Sequence, residues 1–215
     1  MIAGEAALSN WDAGMDMYIY GKLGNLTMTK EGINVLMTNL TGKVPPILQR
    51  LDYIRFNGEA AGYLHDLTLT GLFHTGAGMV KTDVMMSIDE QSMSRTYSGS
   101  VASADLDLGK LLNQEKKFGK VDFNVELKGF NYKNRYPESY IKGIISSFEY
   151  SQYQYENIML DGVYKDGGFN GRLSMDDANG SVQIDGNFNV AKTIPDFNLK
   201  ASVKNLRPHD LHLSD

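Results

Sequence analysis

One five-residue pattern recurs along this chain: large apolar, polar, large apolar, polar, glycine. Successive strand residues point to opposite faces, so the glycine shares a face with the two apolar residues before it. Each copy therefore predicts a strand that is apolar on one face, polar on the other, and without a side chain at the end of its apolar stripe. The four copies occupy residues 54–58, 67–71, 125–129 and 182–186.

Repetition of this pattern predicts an all-β fold, built as one long amphipathic sheet that curves where the glycines lie. The alternation extends to 197–204, and we expect about a dozen short strands separated by turns. One or two short helices are also predicted, at 46–51, where proline starts the segment, and at 107–117, where Asp107 is a possible N-cap. The first 15 residues are ambiguous between a short helix and a lead-in to the sheet.

The composition excludes several classes of function. The formal net charge is −5 and the charges are interspersed, so no basic stripe is present for a nucleic acid. The chain has no cysteine, which removes disulfides, thiolate nucleophiles and zinc–thiolate sites. No apolar run approaches the roughly 20 residues of a membrane-spanning helix, and the N-terminus does not resemble a signal peptide.

Three polar clusters are candidate sites of chemistry. The acidic pairs precede a predicted helix or lie in a turn, where aspartate is common for backbone reasons. The two terminal histidines would face opposite sides of a strand, and no phosphate loop or nucleophile elbow is complete. We therefore predict no enzyme, no metal and no cofactor. The clusters are Asp105 with Asp107, Asp176 with Asp177, and His209 and His212 with Asp210.

Aromatic residues concentrate in one stretch of the sequence. Such a patch can bind sugars or lipid headgroups, and it can equally arise from cross-strand packing of aromatic side chains. The residues are Phe148, Tyr150, Tyr153 and Tyr155, with Tyr132 and Tyr136 near Arg135.

Several segments of the chain resemble TamB-like proteins, the translocation-and-assembly module family related to AsmA. The similarity is carried by 153–166, 169–177, 180–188 and 194–201. Residues 105–112 look like the short helical insertion of these proteins. The resemblance covers most of 51–213, and residues 1–50 less clearly.

The resemblance implies a segment of a long envelope protein with a β-taco body, a groove of stacked strands with an apolar interior. Members of the family are tethered to the inner membrane by an N-terminal anchor and cross the periplasm. They take part in outer-membrane biogenesis through phospholipid transport, and a role in outer-membrane protein assembly is also proposed. On this interpretation residues 1–215 form one continuous β-repeat segment of a larger protein. The anchor, and the region meeting an Omp85-type outer-membrane partner, would lie outside it.

The leading prediction is a non-enzymatic periplasmic segment whose apolar stripes line a groove for phospholipid acyl chains. The alternatives are a filled scaffold or chaperone-like module that pairs with unfolded strands by β-augmentation, and an enzyme on a β scaffold. The predicted lining residues are Ile54, Phe56, Leu67, Leu69, Val121, Phe123, Val125, Leu127, Ile158, Leu160, Val182, Ile184, Leu199 and Val203.

Overall fold

A computed structural model describes residues 4–10, 12–89, 91–92, 94–131, 138–189 and 195–212. This part of the chain contains 13 antiparallel strands in one open sheet. The strands are β1 (Gly4–Ser9), β2 (Tyr18–Thr29), β3 (Tyr53–Tyr63), β4 (Asp66–Thr75), β5 (Gly78–Ile88), β6 (Arg95–Ala104), β7 (Leu106–Asp107), β8 (Phe118–Asn131), β9 (Glu138–Tyr150), β10 (Tyr153–Lys165), β11 (Gly168–Asp177), β12 (Gly180–Asn189) and β13 (Asp196–Lys204). The prediction of an all-β chain with one long sheet is confirmed.

The strands follow one another across the sheet in sequence order. Each pairs with its neighbours in the chain, except that β6 pairs with β8 and not with the two-residue strand β7, which pairs only with β8. Tight turns such as the one between β10 and β11 connect the pairs, with Asp166 and Gly167 both at positive φ. The sheet path therefore contains 12 strands, from β1 at one edge to β13 at the other.

Three α-helices lie between strands of the described chain, where one or two were predicted: α1 (Lys30–Thr41), α2 (Pro46–Gln49) and α3 (Leu108–Leu112). The predicted pieces at 46–51 and 107–117 are confirmed as helices, although both are shorter than expected. Asp107 is the N-cap of α3, accepting a hydrogen bond from the backbone N–H of Lys110 at 2.8 Å. A 3₁₀ turn at Gly14–Asp16 follows β1.

Helix α1 was not predicted. Its interior contains glycine, asparagine, threonine and valine, all weak helix formers, so propensity conceals it. Its ends carry the signal instead: the Thr29 hydroxyl accepts a hydrogen bond from the Gly32 N–H, and Gly42 closes the helix in the left-handed conformation.

The sheet does not curl at its glycines as the sequence pattern predicts. At several of these positions the gap is filled by an aromatic ring from the same face. A Cβ added at Gly71 would lie 2.5 Å from Cε2 of Phe56, and one added at Gly162 would lie 2.6 Å from Cζ of Phe169. Because rings occupy these gaps, the missing side chains do not draw the sheet inwards at these points.

Candidate functional site: an apolar sheet face

All fourteen predicted lining residues lie on the same face of the sheet. Residues that are direct partners across two strands share a face, and the registers link the fourteen from strand to strand. Leu127, for example, is opposite Ile141, which is opposite Gly162 on the next strand. The structure thus places on one face residues that are up to 149 positions apart in sequence, Ile54 and Val203 being the extremes.

The centre of this face consists of two rows that we call the glycine rows. They run across all 12 strands of the path, nearly at right angles to the chain direction. The first is Gly4, Leu23, Gly58, Gly71, Thr82, Val101, Val125, Gly143, Leu160, Leu173, Ile184 and Ala201. The second is Ala6, Gly21, Ala60, Leu69, Val84, Gly99, Leu127, Ile141, Gly162, Gly171, Gly186 and Leu199.

Bulkier side chains flank the glycine rows on both sides. On one side lies a row that includes Phe56, Phe73, Phe123, Ile145 and Met175. On the other side lies an aromatic row, whose aromatic members are Tyr97, Tyr164, Phe169, Phe188 and Phe197. None of the residues in the two glycine rows is charged, so the centre of the face is an uncharged strip, and rings from the flanking rows lie over some of its glycines, such as Gly71 and Gly162.

One end of the apolar face, which we call the covered end, is packed beneath the helices and residues 205–212. Ile33 of α1 and Leu111 of α3 are 1% and 6% exposed, and they pack with Ile54 and Val121 of the sheet. A second cluster places Leu211, which has no exposed surface, against Ile158. These predicted lining residues therefore belong to a packed core.

The C-terminal segment is held on the covered end by a hydrogen bond. The hydroxyl of Tyr155 donates to the carbonyl oxygen of Leu211 at 2.8 Å. Burial, followed by the nearby Tyr150, raises the pKa of Tyr155. The four predicted aromatic residues 148, 150, 153 and 155 pack together here, with the rings of Tyr153 and Tyr155 4.8 Å apart. These contacts match the cross-strand packing of aromatic side chains that the sequence analysis gave as the alternative to a binding patch. Tyr132, Arg135 and Tyr136 lie outside the described residues.

Phe56 is also buried, and Phe123 and Val182 pack against the two clusters, whereas the other predicted lining residues are open to varying degrees. Leu69, Val125, Leu127, Leu160 and Ile184 are half-buried by their neighbours in the sheet. At the β13 edge the face is more open, with Leu199 42% exposed and Val203 51% exposed. The apolar face thus continues from a packed core into a strip that no described element covers.

The opposite face carries a row of charges that the sequence analysis did not identify. The row passes through all 12 strands of the path, and no two direct neighbours in it carry the same charge. We call it the charge ladder: Glu5, Lys22, Glu59, Thr70, Asp83, Ser100, Glu126, Lys142, Asp161, Arg172, Asp185 and Lys200. The members come from different strands and share no sequence motif, so only the strand register reveals the row.

Several ladder neighbours are in direct contact. Nε of Arg172 lies 2.7 Å from Asp185, Nζ of Lys142 lies 3.5 Å from Asp161, and Thr70 donates to Asp83 at 2.9 Å. The pKa of the Asp161 carboxyl is lowered, mainly by the hydrogen bond from the Tyr140 hydroxyl. The Asp161 carboxylate therefore remains ionised to lower pH than an isolated one, which preserves its opposite charge to Lys142 and Arg172.

Two shallow depressions of the polar face lie near the ladder. One, of about 410 Å³, has Met85, Lys128, Phe130 and Tyr140 in its lining. The other, of about 460 Å³, is lined by Ile144 and Met159 beside the ladder pairs. Both are wide open and mix apolar with charged groups, and neither contains one of the predicted chemical clusters.

The polar clusters form ion pairs and hydrogen bonds with nearby residues. Asp105 forms an ion pair with Lys120 at 2.9 Å, and Asp176 accepts from Ser181 at 2.7 Å. The carboxylate of Asp177 accepts from the Asn179 N–H at 2.9 Å, which holds the β11–β12 turn. His212 contacts the carbonyl oxygen of Ser151 at 2.9 Å. Within the described residues, no group of three or more His, Cys, Asp or Glu side chains is placed to hold a metal ion.

Comparison of the chain with protein-family profiles, curated proteins and solved structures found no match. Among the described residues, none of the helices is long and apolar enough to cross a bilayer. The apolar face and its boundaries are accordingly the basis for a functional proposal.

Proposed function

We propose that this chain is a non-enzymatic wall segment of a TamB/AsmA-like envelope protein, and that its apolar face shelters phospholipid acyl chains crossing the periplasm between the inner and outer membranes. The observation that carries the proposal is the pair of glycine rows, which are uncharged, continuous across 12 strands and without a helix or loop of the described residues lying over them. An apolar patch on a soluble monomer is normally about 300–600 Å², and larger ones mark binding surfaces.

The dimensions of the strip suit an extended hydrocarbon chain. Neighbouring strands lie about 4.8 Å apart, so 12 strands give a continuous path of roughly 50 Å. Each acyl methylene removed from water contributes about 0.8 kcal/mol, less on a face that leaves the chain half open. Contact between an acyl chain and the strip involves no charged group, so binding is weak and non-specific at every point. Weak binding of this kind is what an acyl chain needs in order to move along the strip.

The covered end sets the direction of that path. Ile33, Leu111 and Leu211 block the apolar face at one end of the strands, so a chain cannot continue along the strand direction there. The bulky row and the aromatic row border the glycine rows on both sides. Acyl chains would therefore lie across the strands, following the long axis of the sheet.

Native mass spectrometry with lipid extraction, on protein purified from a Gram-negative host, tests the proposal. Ile184→Arg places a charge in the first glycine row, whereas Gln183→Arg places the same charge one residue away on the polar face. We expect co-purified phospholipid with the wild type and with Gln183→Arg, and its loss with Ile184→Arg. Lipid retained equally by both variants, or absent from the wild type, contradicts the proposal.

A scaffold that pairs with unfolded strands is the second candidate, and the two sheet edges favour it. Every residue of β1 and of β13 is exposed, and neither strand has an outer partner among the described residues. Open edges are templates for β-augmentation. Capture of an unfolded outer-membrane strand by the wild type, unchanged in Ile184→Arg, would assign the activity to the edges rather than to the apolar face.

A further inference from the structure

The border of the apolar face has polar side chains at one place, where the aromatic row crosses β6 to β10. On the strands before β6 and after β10, the members of this row are glycine or have hydrocarbon or thioether side chains. Between them lie three residues with hydroxyl groups, Tyr97, Ser139 and Tyr164. The hydroxyls of Tyr97 and Ser139 hydrogen-bond to each other across the gap at Gly129.

Arg95 lies beside these hydroxyl groups, on the side away from the covered end. It comes two residues before Tyr97 on β6, so the two side chains share a face and start about 7 Å apart. Arg95 is also the direct partner of Asn131 on β8. We call this group of side chains the polar corner: Arg95, Tyr97, Asn131, Ser139 and Tyr164.

The polar corner contains an available positive charge. Of the described strand residues on the apolar face, Arg95 and Asp177 are the two that carry a charge. The Asp177 carboxylate is engaged at the covered end, where it accepts hydrogen bonds from the Tyr153 hydroxyl at 2.5 Å and from the Glu156 N–H at 3.1 Å.

Arg95 is exposed and forms no ion pair with a described acidic residue. Asp89 lies at the turn that leads to β6, but its carboxylate accepts from both the N–H and the hydroxyl of Ser92 at 2.7 Å. The guanidinium of Arg95 can therefore bind an anion without first breaking a contact in the described structure.

The position of the polar corner matches the polarity of a phospholipid. The covered end blocks one side of the apolar face, so the headgroup of a lipid in the glycine rows has to leave across the aromatic row. Aromatic side chains with a polar tip are typical of boundaries between apolar and wet surroundings. An arginine guanidinium binds a phosphate group through two parallel N–H···O bonds.

We propose, on the basis of the function proposed above, that the polar corner binds the phosphate of a phospholipid headgroup, with Arg95 as the main contact. The acyl chains then enter the glycine rows between β6 and β10. The ligand class is accordingly a glycerophospholipid, preferred over a neutral diacylglycerol with the same acyl chains.

The test compares dioleoylphosphatidylglycerol with dioleoylglycerol, which has the same acyl chains but no phosphate. Each lipid is added in detergent to delipidated protein, and bound lipid is measured by native mass spectrometry. The wild type should bind the phospholipid about fivefold to tenfold more tightly. Arg95→Gln should abolish this preference. Lys128→Gln is the matched control, because it removes the same charge from the polar face of the neighbouring strand and should keep the preference.

The readout is the ratio of the two affinities, which a general loss of apolar binding would not change. The ratio should fall in the order Arg95, Arg95→Lys, Arg95→Gln, Arg95→Glu, because a carboxylate beside the phosphate repels it. A ratio that is the same in all four proteins would overturn the proposal.

Free phosphate esters and the broader lipid proposal are separated in the same assay. Excess glycerol 3-phosphate should not displace the phospholipid, since it lacks the acyl chains, and displacement would assign the polar corner to a soluble phosphate ester instead. Equal binding of both lipids by the wild type, with loss of both in Ile184→Arg, would reject the polar corner and keep the proposed function. Binding of neither lipid by the wild type would contradict the proposed function and the polar corner together.

Discussion

Val121 and Val125 lie on the same strand and the same face, yet their surroundings differ completely. Val121 is 3% exposed beneath the helices, whereas Val125 is half-buried in a glycine row that no described element covers. The sheet pattern is the same at both positions. The difference lies in what covers them, so the covered end stabilises the fold while the open strip remains available for a ligand.

The largest effect should come from removing a side chain that covers the sheet. Ile33→Ala deletes a 1% exposed residue from the core of the covered end and should lower the free energy of unfolding by about 2–5 kcal/mol. Val35→Ala, on the same helix but at a 63% exposed position, should change it by less than about 0.5 kcal/mol. Urea denaturation of both variants measures the contrast, and equal losses would show that α1 is not a covering element.

A matched pair of valines sharpens the comparison within one strand. Val121→Ala should cost about 2 kcal/mol, from two lost methylene equivalents and the cavity they leave. Val125→Ala should cost less than about 1 kcal/mol, because its side chain is already partly hydrated. The difference should shrink if phospholipid covers the open strip during the measurement. If Val125→Ala proves as costly without lipid, the strip is packed and not open.

A single hydroxyl tests how firmly residues 205–212 are held. Tyr155→Phe removes the hydrogen bond to the Leu211 carbonyl and should cost about 1 kcal/mol at neutral pH. The folded-state pKa of Tyr155 is raised, so its contribution is complete below the ordinary tyrosine pKa of about 10 and is lost as pH rises above it. The melting temperature of the wild type should therefore fall more between pH 8 and pH 11 than that of Tyr155→Phe. Parallel curves would show that Tyr155 does not contribute to the alkaline loss.

The smallest effect concerns the polar side of the open strip. Lys142→Glu places a third carboxylate between Glu126 and Asp161 in the charge ladder and should cost about 0.5–1 kcal/mol at low salt, less at high salt. Lys128→Glu makes the same change of net charge opposite Ser98 and Tyr140 and should cost less. Thermal melts at two salt concentrations compare them, and equal costs would mean that only net charge matters.

Much of the sheet is predictable because alternation is a local signal. The stripe at 121–128 needs no distant partner to show which residues share a face, and the structure places it in β8 as expected. The same local signal explains why all fourteen lining residues lie on one face. Because strands that follow one another in sequence are paired along the main path, each connection fixes which side chains of the next strand share the apolar face.

What was missed depends on contacts between distant residues or on tertiary context. Helix α1 has poor intrinsic propensity and is stabilised by burying Ile33 against the sheet. The pair Lys142 and Asp161 is recognisable only once the register between β9 and β10 is known. The difference in burial between Val121 and Val125 depends on where α3 packs against the sheet, and the alternation of apolar and polar residues carries no information about that contact.

Because the strands follow sequence order across one sheet, the number of strands sets the length of the sheet across its strands. Because a strand on the main path touches only the strands next to it, removing or inserting one hairpin alters contacts only at that place. Two strands restore both the chain direction and the identity of the faces, so they are the smallest unit that can be exchanged. Such a protein can change its span in steps of about 10 Å while every remaining apolar and charged row stays aligned.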